Sequence, residues 1–268
     1  MPFLGCFPMN ATPLPLSGNE SRTSYLARLL DVMDVAVTHE RVPLQLGEIA
    51  TAAGVPMSTA SRLLSLLVER GMLIQLGKSG YAPGPRLLHM AVRTLDQVHG
   101  TDRLKDAVET LSEATGESVS AGVLVGDQIV LVARKEPDHS LRAVARIGDI
   151  ITPHTSAMGK AVLSRLPAER RLALVAAAVG DGAAESTLAV LHAELATATA
   201  DGFAIDEESY AVGLRCRATA LLDRAGHAVG AISIAGPAAR FTRENATACV
   251  PALLAEAARL SLDIPQAP

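Results

Sequence analysis

Four side chains in the second half of the chain are of types that can act in catalysis or bind a ligand. They are His154 in "TPHTSAMGKAVL", Asp206 in "GFAIDEE", Cys216 in "LRCRATALL" and Ser233 in "HAVGAISIAG". A thiol, an imidazole and a carboxylate are the parts of a nucleophilic hydrolase, and the same three groups can also bind zinc. The sequence has no nucleophile elbow, phosphate loop or His-x-x-x-His motif to support either alternative. We therefore expect a protein that is not an enzyme, with no catalytic residue, cofactor or metal.

Cys216 and Ser233 lie on two predicted strands, 214–222 and 227–236, which are joined by a short turn. A symmetric loop pairs Leu222 with His227 and therefore places Cys216 opposite Ser233. Alternation puts the small side chains of both strands on one face and the arginines on the other. Small groups beside a thiol and a hydroxyl predict the floor of a small-molecule pocket, although a bulge in the turn would shift this register. The small residues on this face are Cys216, Ala218, Ala220, Ala231, Ser233 and Ala235.

A second part of the pocket is predicted at "TPHTSAMGKAVL", where Thr155 or Ser156 can cap a helix over 155–166. The N–H groups of its first turn would bind a carboxylate or another anion. Asp206 would accept a hydrogen bond from a ligand hydroxyl, and the alternative is a solvated acidic turn. For Cys216 the alternatives are a small buried hydrophobe and a redox sensor.

The first half of the chain contains two short predicted helices, over 47–53 and 58–70, separated by Gly54-Val55-Pro56. This spacing is typical of a helix-turn-helix, and the strands predicted on either side of "GKSG" would form a wing. On the second helix, Ala60, Leu63, Leu64 and Leu67 form the buried face. Small and basic residues on the other face suit the major groove of double-stranded DNA. The predicted DNA contacts are Ser58, Thr59, Ser61, Arg62 and Ser65 on the helix and Lys78 in the wing. A helical hairpin that does not bind DNA is the alternative, with Lys78 as an ordinary solvated turn residue.

Length and composition predict more than one domain. The chain has 268 residues, a net charge of −4 and 49% hydrophobic residues, with no Trp. A wholly basic nucleic-acid-binding protein is excluded by this charge. The three widely spaced cysteines suit the reducing cytoplasm, and no apolar run reaches the roughly 20 residues of a membrane span. We expect a disordered arm over 1–19, a winged helix-turn-helix domain over 20–83, a linker helix over 84–100 and an effector-binding domain over 101–265.

The last of these segments reads as an α+β domain with an antiparallel sheet. A helix is expected over 102–115, and a hairpin should follow it, turning at Gly126-Asp127. Another strand is expected over 139–148. Further helices are predicted over 155–166, 168–178, 188–200 and 243–262.

Together, "LGEIATAAGVPMSTASRLLSLLVERGML", "PHTSAMGKAVLSRLP" and "DGFAIDEESYAVGLRCRATALLDRAGHAVGAISIAGPAARFT" resemble the isocitrate-lyase-regulator (IclR) family of bacterial transcription factors. The resemblance spans about residues 22 to 262. It implies a winged helix-turn-helix, a linker helix and a GAF-like effector-binding domain. It also implies a homodimer or a dimer of dimers that regulates genes of carbon-source catabolism, often in response to small organic or aromatic acids.

The resemblance also assigns effector contacts. Besides the helix cap at Ser156, they fall on the backbone at Ala157 and Met158 and on the side chains of Asp206, Cys216 and Ser233. Many relatives have a second serine two residues after Ser233, and this chain has Ala235. Loss of that hydroxyl argues against a very small polar acid such as glyoxylate and favours a larger or more apolar acid. We expect a repressor of a catabolic operon rather than an activator.

Overall fold

The computed structural model describes residues 25–39, 41–97, 101–137 and 145–260. By their internal contacts, the described residues up to Gln97 form one unit and those from Thr101 onward form a second. The arm expected over 1–19 lies outside the described residues. Each unit has a hydrophobic core of its own, and the cores are largely aliphatic, with Tyr81 and Phe241 as buried aromatic residues.

The first unit is a winged helix-turn-helix. Helix α1 (Tyr25–Thr38) precedes α2 (Leu46–Ala52) and α3 (Met57–Glu69). Gly54, with a φ of 63°, makes the left-handed turn between α2 and α3, and Pro56 precedes the first residue of α3. The predicted buried face of α3 is confirmed, since Ala60, Leu63, Leu64 and Leu67 are all buried.

The wing follows α3 directly. Strands β1 (Leu73–Gln75) and β2 (Tyr81–Pro83) pair antiparallel, and the tip between them is a single turn of 3-10 helix, Gly77–Ser79. Leu44 bridges to Tyr81, which ties the wing to the segment before α2. Helix α4 (Pro85–Gln97) ends this unit and begins at a proline, as the linker-helix prediction expected.

The second unit is built on a six-stranded antiparallel sheet with the order β5-β4-β3-β8-β7-β6. Its strands are β3 (Ser118–Val125), β4 (Gln128–Lys135), β5 (Ile150–Ile151), β6 (Ala204–Glu207), β7 (Leu214–Leu222) and β8 (Ala228–Pro237). Helices cover both faces, so the predicted α+β class is confirmed. The hairpin β3–β4 turns at Gly126-Asp127 as predicted.

One face of the sheet is covered by α5 (Thr101–Thr115) and by α10 (Val250–Arg259), which follows the short α9 (Arg243–Ala248). The other face is covered by α6 (Ala157–Arg165), α7 (Ala168–Val179) and α8 (Asp181–Asp201). Two separate apolar clusters result, one on each face. The cluster on the face covered by α6, α7 and α8 includes residues of α6, the helix that carries the predicted cap.

No single helix in the described ranges is both long enough and apolar enough to cross a membrane. Within those ranges, the bent pair α7 and α8 reaches the required length and apolar character only when the two helices are taken together. Both helices bury residues in the apolar cluster beside α6.

Three element predictions were wrong at their boundaries. Helix α8 begins at Asp181 rather than near 188, because Ala184 is fully buried and packing there outweighs the weak helix preference of Gly182. The closing helix is broken after Ala248, because Pro251 has no N–H for a continuous helix. Of the strand expected over 139–148, residues 139–144 are outside the described part, and 145–148 are not a strand but irregular chain that ends in a turn at 147–148.

The predicted register of the β7–β8 hairpin was also wrong. Cys216 pairs with Ala235, and Ser233 pairs with Ala218. The turn is one residue longer than the symmetric loop, so Leu222 pairs with Ala228 instead of His227. A bulge beside Leu221 shifts the register by one further residue. The two shifts sum to two residues, and a strand has a period of two, so every side chain stays on its expected face.

Candidate effector pocket and DNA-binding surface

A pocket lies in the second unit, between the start of α6 and the face of the sheet beneath it. About 480 Å³ between its lining side chains is not occupied by atoms, and part of this space is open to solvent. The structure places all seven predicted effector residues in its lining: Ser156, Ala157, Met158, Asp206, Cys216, Ser233 and Ala235. Their role in binding an effector stays a prediction. The structure does bring the three sequence segments together around one cavity.

The floor of the pocket is formed by small residues on neighbouring strands. Ser233 on β8 lies between Ser120 on β3 and Ala218 on β7, while Ala235 lies beside Cys216. Small side chains on adjacent strands leave space above the sheet that larger ones would fill. The floor is therefore mostly methyl groups with two hydroxyls and a thiol.

The start of α6 forms one wall. Ser156 is its N-cap: the Ser156 hydroxyl accepts a hydrogen bond from the Gly159 N–H at 3.0 Å and donates to the Thr152 carbonyl at 2.7 Å. The N–H groups of Ala157 and Met158 have no hydrogen-bond partner among the described residues. Both residues line the pocket. Unpaired N–H groups at the start of a helix favour binding of an electronegative atom that accepts their hydrogen bonds.

Asp206 is fully buried, so the alternative of a solvated turn is wrong. Its Oδ1 accepts hydrogen bonds from the N–H groups of Ser209 and Tyr210, at 2.7 and 3.2 Å. Its Oδ2 is buried and has no partner within the part of the chain that the structure describes. Burial raises the pKa of this carboxyl, and the two backbone hydrogen bonds oppose the shift. A ligand that donates a hydrogen bond would satisfy Oδ2.

Cys216 is buried, and both burial and the neighbouring Asp206 raise the pKa of its thiol. Arg215 and Arg217 lie on the opposite face of β7, where both bind Glu207. The thiol therefore lacks the thiolate character that a redox sensor needs, and its surroundings suit an apolar lining group.

His154 does not line the pocket with Cys216 and Asp206. Burial lowers the pKa of its imidazole, and its Nδ1 has no partner among the described residues. In the same ranges, no group of three or more His, Cys, Asp or Glu side chains is arranged to hold a metal. Lys160, a possible anion ligand from its sequence position, instead binds Glu194 at 2.7 Å.

Sequence reasoning missed several residues of the pocket. The polar ones are Ser120, Arg134 and Tyr210, and the apolar ones are Leu131, Ile151 and Leu214. Arg134 is the most consequential, since its side chain is only 7% exposed. The available signal was the predicted β3–β4 hairpin, which places Arg134 near Ser120; in the structure Arg134 pairs with Ser120, which pairs with Ser233.

The outward face of α3 has the composition that groove binding requires. Ser58, Arg62 and Ser65 are exposed, and Thr59 and Ser61 are half-buried. The Ser65 hydroxyl donates to the Ser61 carbonyl at 2.9 Å, which holds it against the helix. Arg62 makes no ion pair with any described residue, and Lys78 is exposed in the turn at the tip of the wing. Base or phosphate contacts by these six residues remain predictions.

Comparisons with known proteins identify both units. Residues 25–77 match the IclR helix-turn-helix domain, and residues 92–262 match the bacterial transcriptional regulator IclR C-terminal domain. The HTH-type transcriptional repressor AllR of Salmonella typhimurium is 31% identical over 211 residues, covering 74% of each chain. The transcriptional repressor IclR of Escherichia coli is 30% identical over 208 residues, covering 75% of this chain and 76% of that protein.

Among solved structures, an IclR homologue from Microbacterium hydrocarbonoxydans complexed with 4-hydroxybenzoate has a TM-score of 0.67 at 19% identity. The match covers 88% of this chain and all of that one, and at this identity it shows the fold alone. The matched family consists of transcriptional regulators, so the hydrolase alternative is set aside. With a DNA-binding unit and a pocket-bearing unit each matched over most of its length, this chain belongs to the IclR family and is a ligand-responsive, DNA-binding transcriptional regulator.

Proposed function

We propose that the protein is a cytoplasmic repressor of a catabolic operon, controlled by a small organic acid bound in the α6 pocket. The observation that carries the proposal is that Asp206 and the start of α6 line the same pocket and that both have groups without a hydrogen-bond partner among the described residues. Asp206 Oδ2 lacks a donor, and the N–H groups of Ala157 and Met158 lack an acceptor, both within the described residues. A ligand oxygen or hydroxyl in the cavity would satisfy both kinds of group.

The lining favours an acid with an apolar body. Leu131, Ile151 and Leu214 contribute hydrocarbon, and Ala235 contributes a methyl group. A very small polar acid would leave this hydrocarbon surface uncovered. The complex of the Microbacterium homologue with 4-hydroxybenzoate supports an aromatic acid as one candidate class.

On the DNA side, we propose that α3 lies in the major groove and that the wing contacts the backbone. Arg62 would reach a base edge or a phosphate, and Ser58, Thr59, Ser61 and Ser65 would allow close approach of the helix. Lys78 at the wing tip would contact a phosphate.

We further propose that the protein works as a dimer or a dimer of dimers. On one face of helix α4, three apolar side chains are exposed in a single copy: Leu88, Val92 and Leu95 are 67%, 48% and 41% exposed. Patches of this kind mark association surfaces. A second copy would bring two recognition helices to paired half-sites, and the mass in solution by light scattering checks this.

Control by the acid requires a difference in its affinity for the DNA-binding and non-binding states. An acid that binds both states equally changes nothing. A coupling free energy of ~1–3 kcal/mol between the two sites gives a fivefold to hundredfold change in DNA affinity.

Ser233→Ala tests the pocket directly. We expect a threefold to tenfold higher acid concentration for half-release from DNA, since one net hydrogen bond is worth about 1 kcal/mol. DNA affinity without acid should not change. The measurement is release of labelled upstream DNA by a panel of acids that includes 4-hydroxybenzoate. Ser186→Ala, at an exposed serine of α8, is the matched control. An unchanged acid response in Ser233→Ala would remove Ser233 from the site.

A further inference from the structure

Helix α3 begins with an exposed apolar side chain. On α2 and α3, every residue of which the structure describes, Met57 is the one large apolar side chain that is exposed, at 56%. The other large apolar residues of these two helices are buried or half-buried. Covering apolar surface with another apolar group removes it from water, which is favourable. Met57 therefore has surface that contact with a binding partner would bury.

Met57 lies where a helix-turn-helix meets DNA. It is the first residue of α3 and directly follows Pro56. In this motif the N-terminal residues of the second helix are the ones that contact base edges. The terminal methyl group of Met57 lies beside the first turn of α2, since a Cβ added to Gly47 would be 3.6 Å from Met57 Cε. The side chain thus reaches from the start of α3 to the start of α2.

The residues beyond Met57 on the outward side of α3 are small. Ser58 is exposed, and Ser61, one turn further along the same side of the helix, is half-buried. Their hydroxymethyl groups extend a shorter distance from the helix than the thioether does. If α3 lies in the major groove, Met57 therefore comes close to the base pairs without obstruction by these neighbours.

The chemistry of a thioether restricts what Met57 can recognise. Methionine has no hydrogen-bond donor, and its sulfur is only a weak acceptor, so it does not read the polar edge of a base. In the major groove thymine presents an apolar group, the C5-methyl, and the other three bases do not. The methionine side chain is flexible and polarisable, which suits contact with one methyl group at a fixed position.

We infer that Met57 is a specificity-determining residue that packs against the C5-methyl group of one thymine in each half-site of the operator. The inference rests on the proposed place of α3 in the major groove and adds a base to that contact. It gives the start of α3 an apolar recognition element beside the polar one at Arg62.

The test begins with selection of binding sites from a random DNA pool by the full-length protein. Each thymine of the selected site is then replaced, one at a time, by deoxyuridine, which pairs in the same way but lacks the C5-methyl group. Fluorescence anisotropy gives the affinity for each duplex. We expect one thymine in each half-site whose replacement weakens binding by about threefold to fivefold, the loss expected for one buried methyl group.

Met57→Ala separates recognition from structure. This variant should bind the thymine and deoxyuridine duplexes equally well at that position, so the ratio of the two affinities falls to about one. Loss of stability alone would weaken binding to both duplexes by the same factor and leave the ratio intact. Met57→Leu keeps an apolar side chain and should keep the dependence on the methyl group. Met90→Ala is the matched control: Met90 on α4 is 50% exposed, and its variant should give the ratio of the parent.

Two results would overturn the inference. One is a selected site in which no thymine methyl group affects binding by the parent, and the other is a methyl dependence that is unchanged in Met57→Ala. Either result with a clearly enriched site would retain the DNA-binding regulator and remove only this contact. A pool in which no sequence is enriched would contradict the proposed place of α3 in the groove together with this inference.

Discussion

Gly159→Ala is expected to destabilise the second unit by about 2 kcal/mol or more and to abolish acid binding. A Cβ at this position would lie 2.4 Å from both the Cα and the carbonyl oxygen of Pro153. Backbone atoms cannot turn aside as a flexible side chain can, so either α6 or the segment before it must move. Because the unpaired N–H groups of Ala157 and Met158 are in that same turn, the movement would displace one wall of the pocket.

The expected destabilisation by Gly159→Ala is opposite in sign to what helix propensity alone predicts. Gly159 lies in a helix, and replacing a helical glycine with alanine normally stabilises by up to about 1 kcal/mol. Gly182→Ala in α8 is the matched control, because its added Cβ meets nothing within 4 Å. Urea unfolding followed by circular dichroism measures both variants, since the chain has no Trp for fluorescence. Gly159→Ala as stable as the parent would show that the Pro153 contact is not tight.

Glu207→Gln is expected to destabilise the second unit by roughly 2–3 kcal/mol at neutral pH. Its carboxylate accepts hydrogen bonds from Arg215 at 2.6 Å, Arg217 at 2.7 Å and Arg243 at 3.1 Å. The side chains of Arg215 and Arg217 are only 11% and 3% exposed, so the variant leaves two buried guanidinium groups without their anion. Partial exposure of Glu207 itself reduces the effect from that of a fully buried pair.

The effect should depend on pH with a definite sign. Hydrogen bonds from the three arginines lower the pKa of Glu207 from 4.5 to about 2, although burial opposes them. A carboxylate with a lowered pKa stabilises the fold fully above the unfolded-state value and loses that contribution as pH falls toward 2. The stability difference between parent and Glu207→Gln should therefore shrink between about pH 4.5 and 2.

Glu109→Gln is the control for this pair of results. Glu109 binds Lys135 at 2.8 Å, but both side chains are about half exposed, so Glu109→Gln should change the stability of the second unit much less than Glu207→Gln does. Equal effects of Glu109→Gln and Glu207→Gln would contradict the account of the arginine cluster.

Periodicity, glycine and proline positions, and alternation were enough to predict the helix-turn-helix, the wing and most elements of the sheet, because these are local properties. The family resemblance, rather than these patterns, supplied the pocket contacts at Ala157 and Met158. The hairpin register was wrong by two residues, yet Cys216 and Ser233 kept their face because a strand repeats every two residues. That prediction would have failed with a shift of one.

Features set by tertiary packing were not predicted. The first turn of α8 is helical because Ala184 packs in the core, not because of its local sequence. Arg134 was missed although the β3–β4 hairpin was predicted, because a bulge between Ala121 and Gly122 shifts the register by one residue and brings Arg134, rather than Ala133, opposite Ser120. The position of a bulge cannot be deduced from alternation along the chain.

The most direct test of the account is fluorescence anisotropy of full-length protein on labelled DNA from upstream of its own gene. It would be run at two salt concentrations with excess unrelated DNA, with and without small organic acids. The account predicts competitor-resistant binding that weakens steeply with salt, changes on addition of an acid, and is about tenfold or more weaker in Arg62→Ala. Arg103→Ala, at an exposed position of α5, should bind as the parent does. Equal affinity for unrelated DNA, unaffected by any acid or by Arg62→Ala, would contradict it.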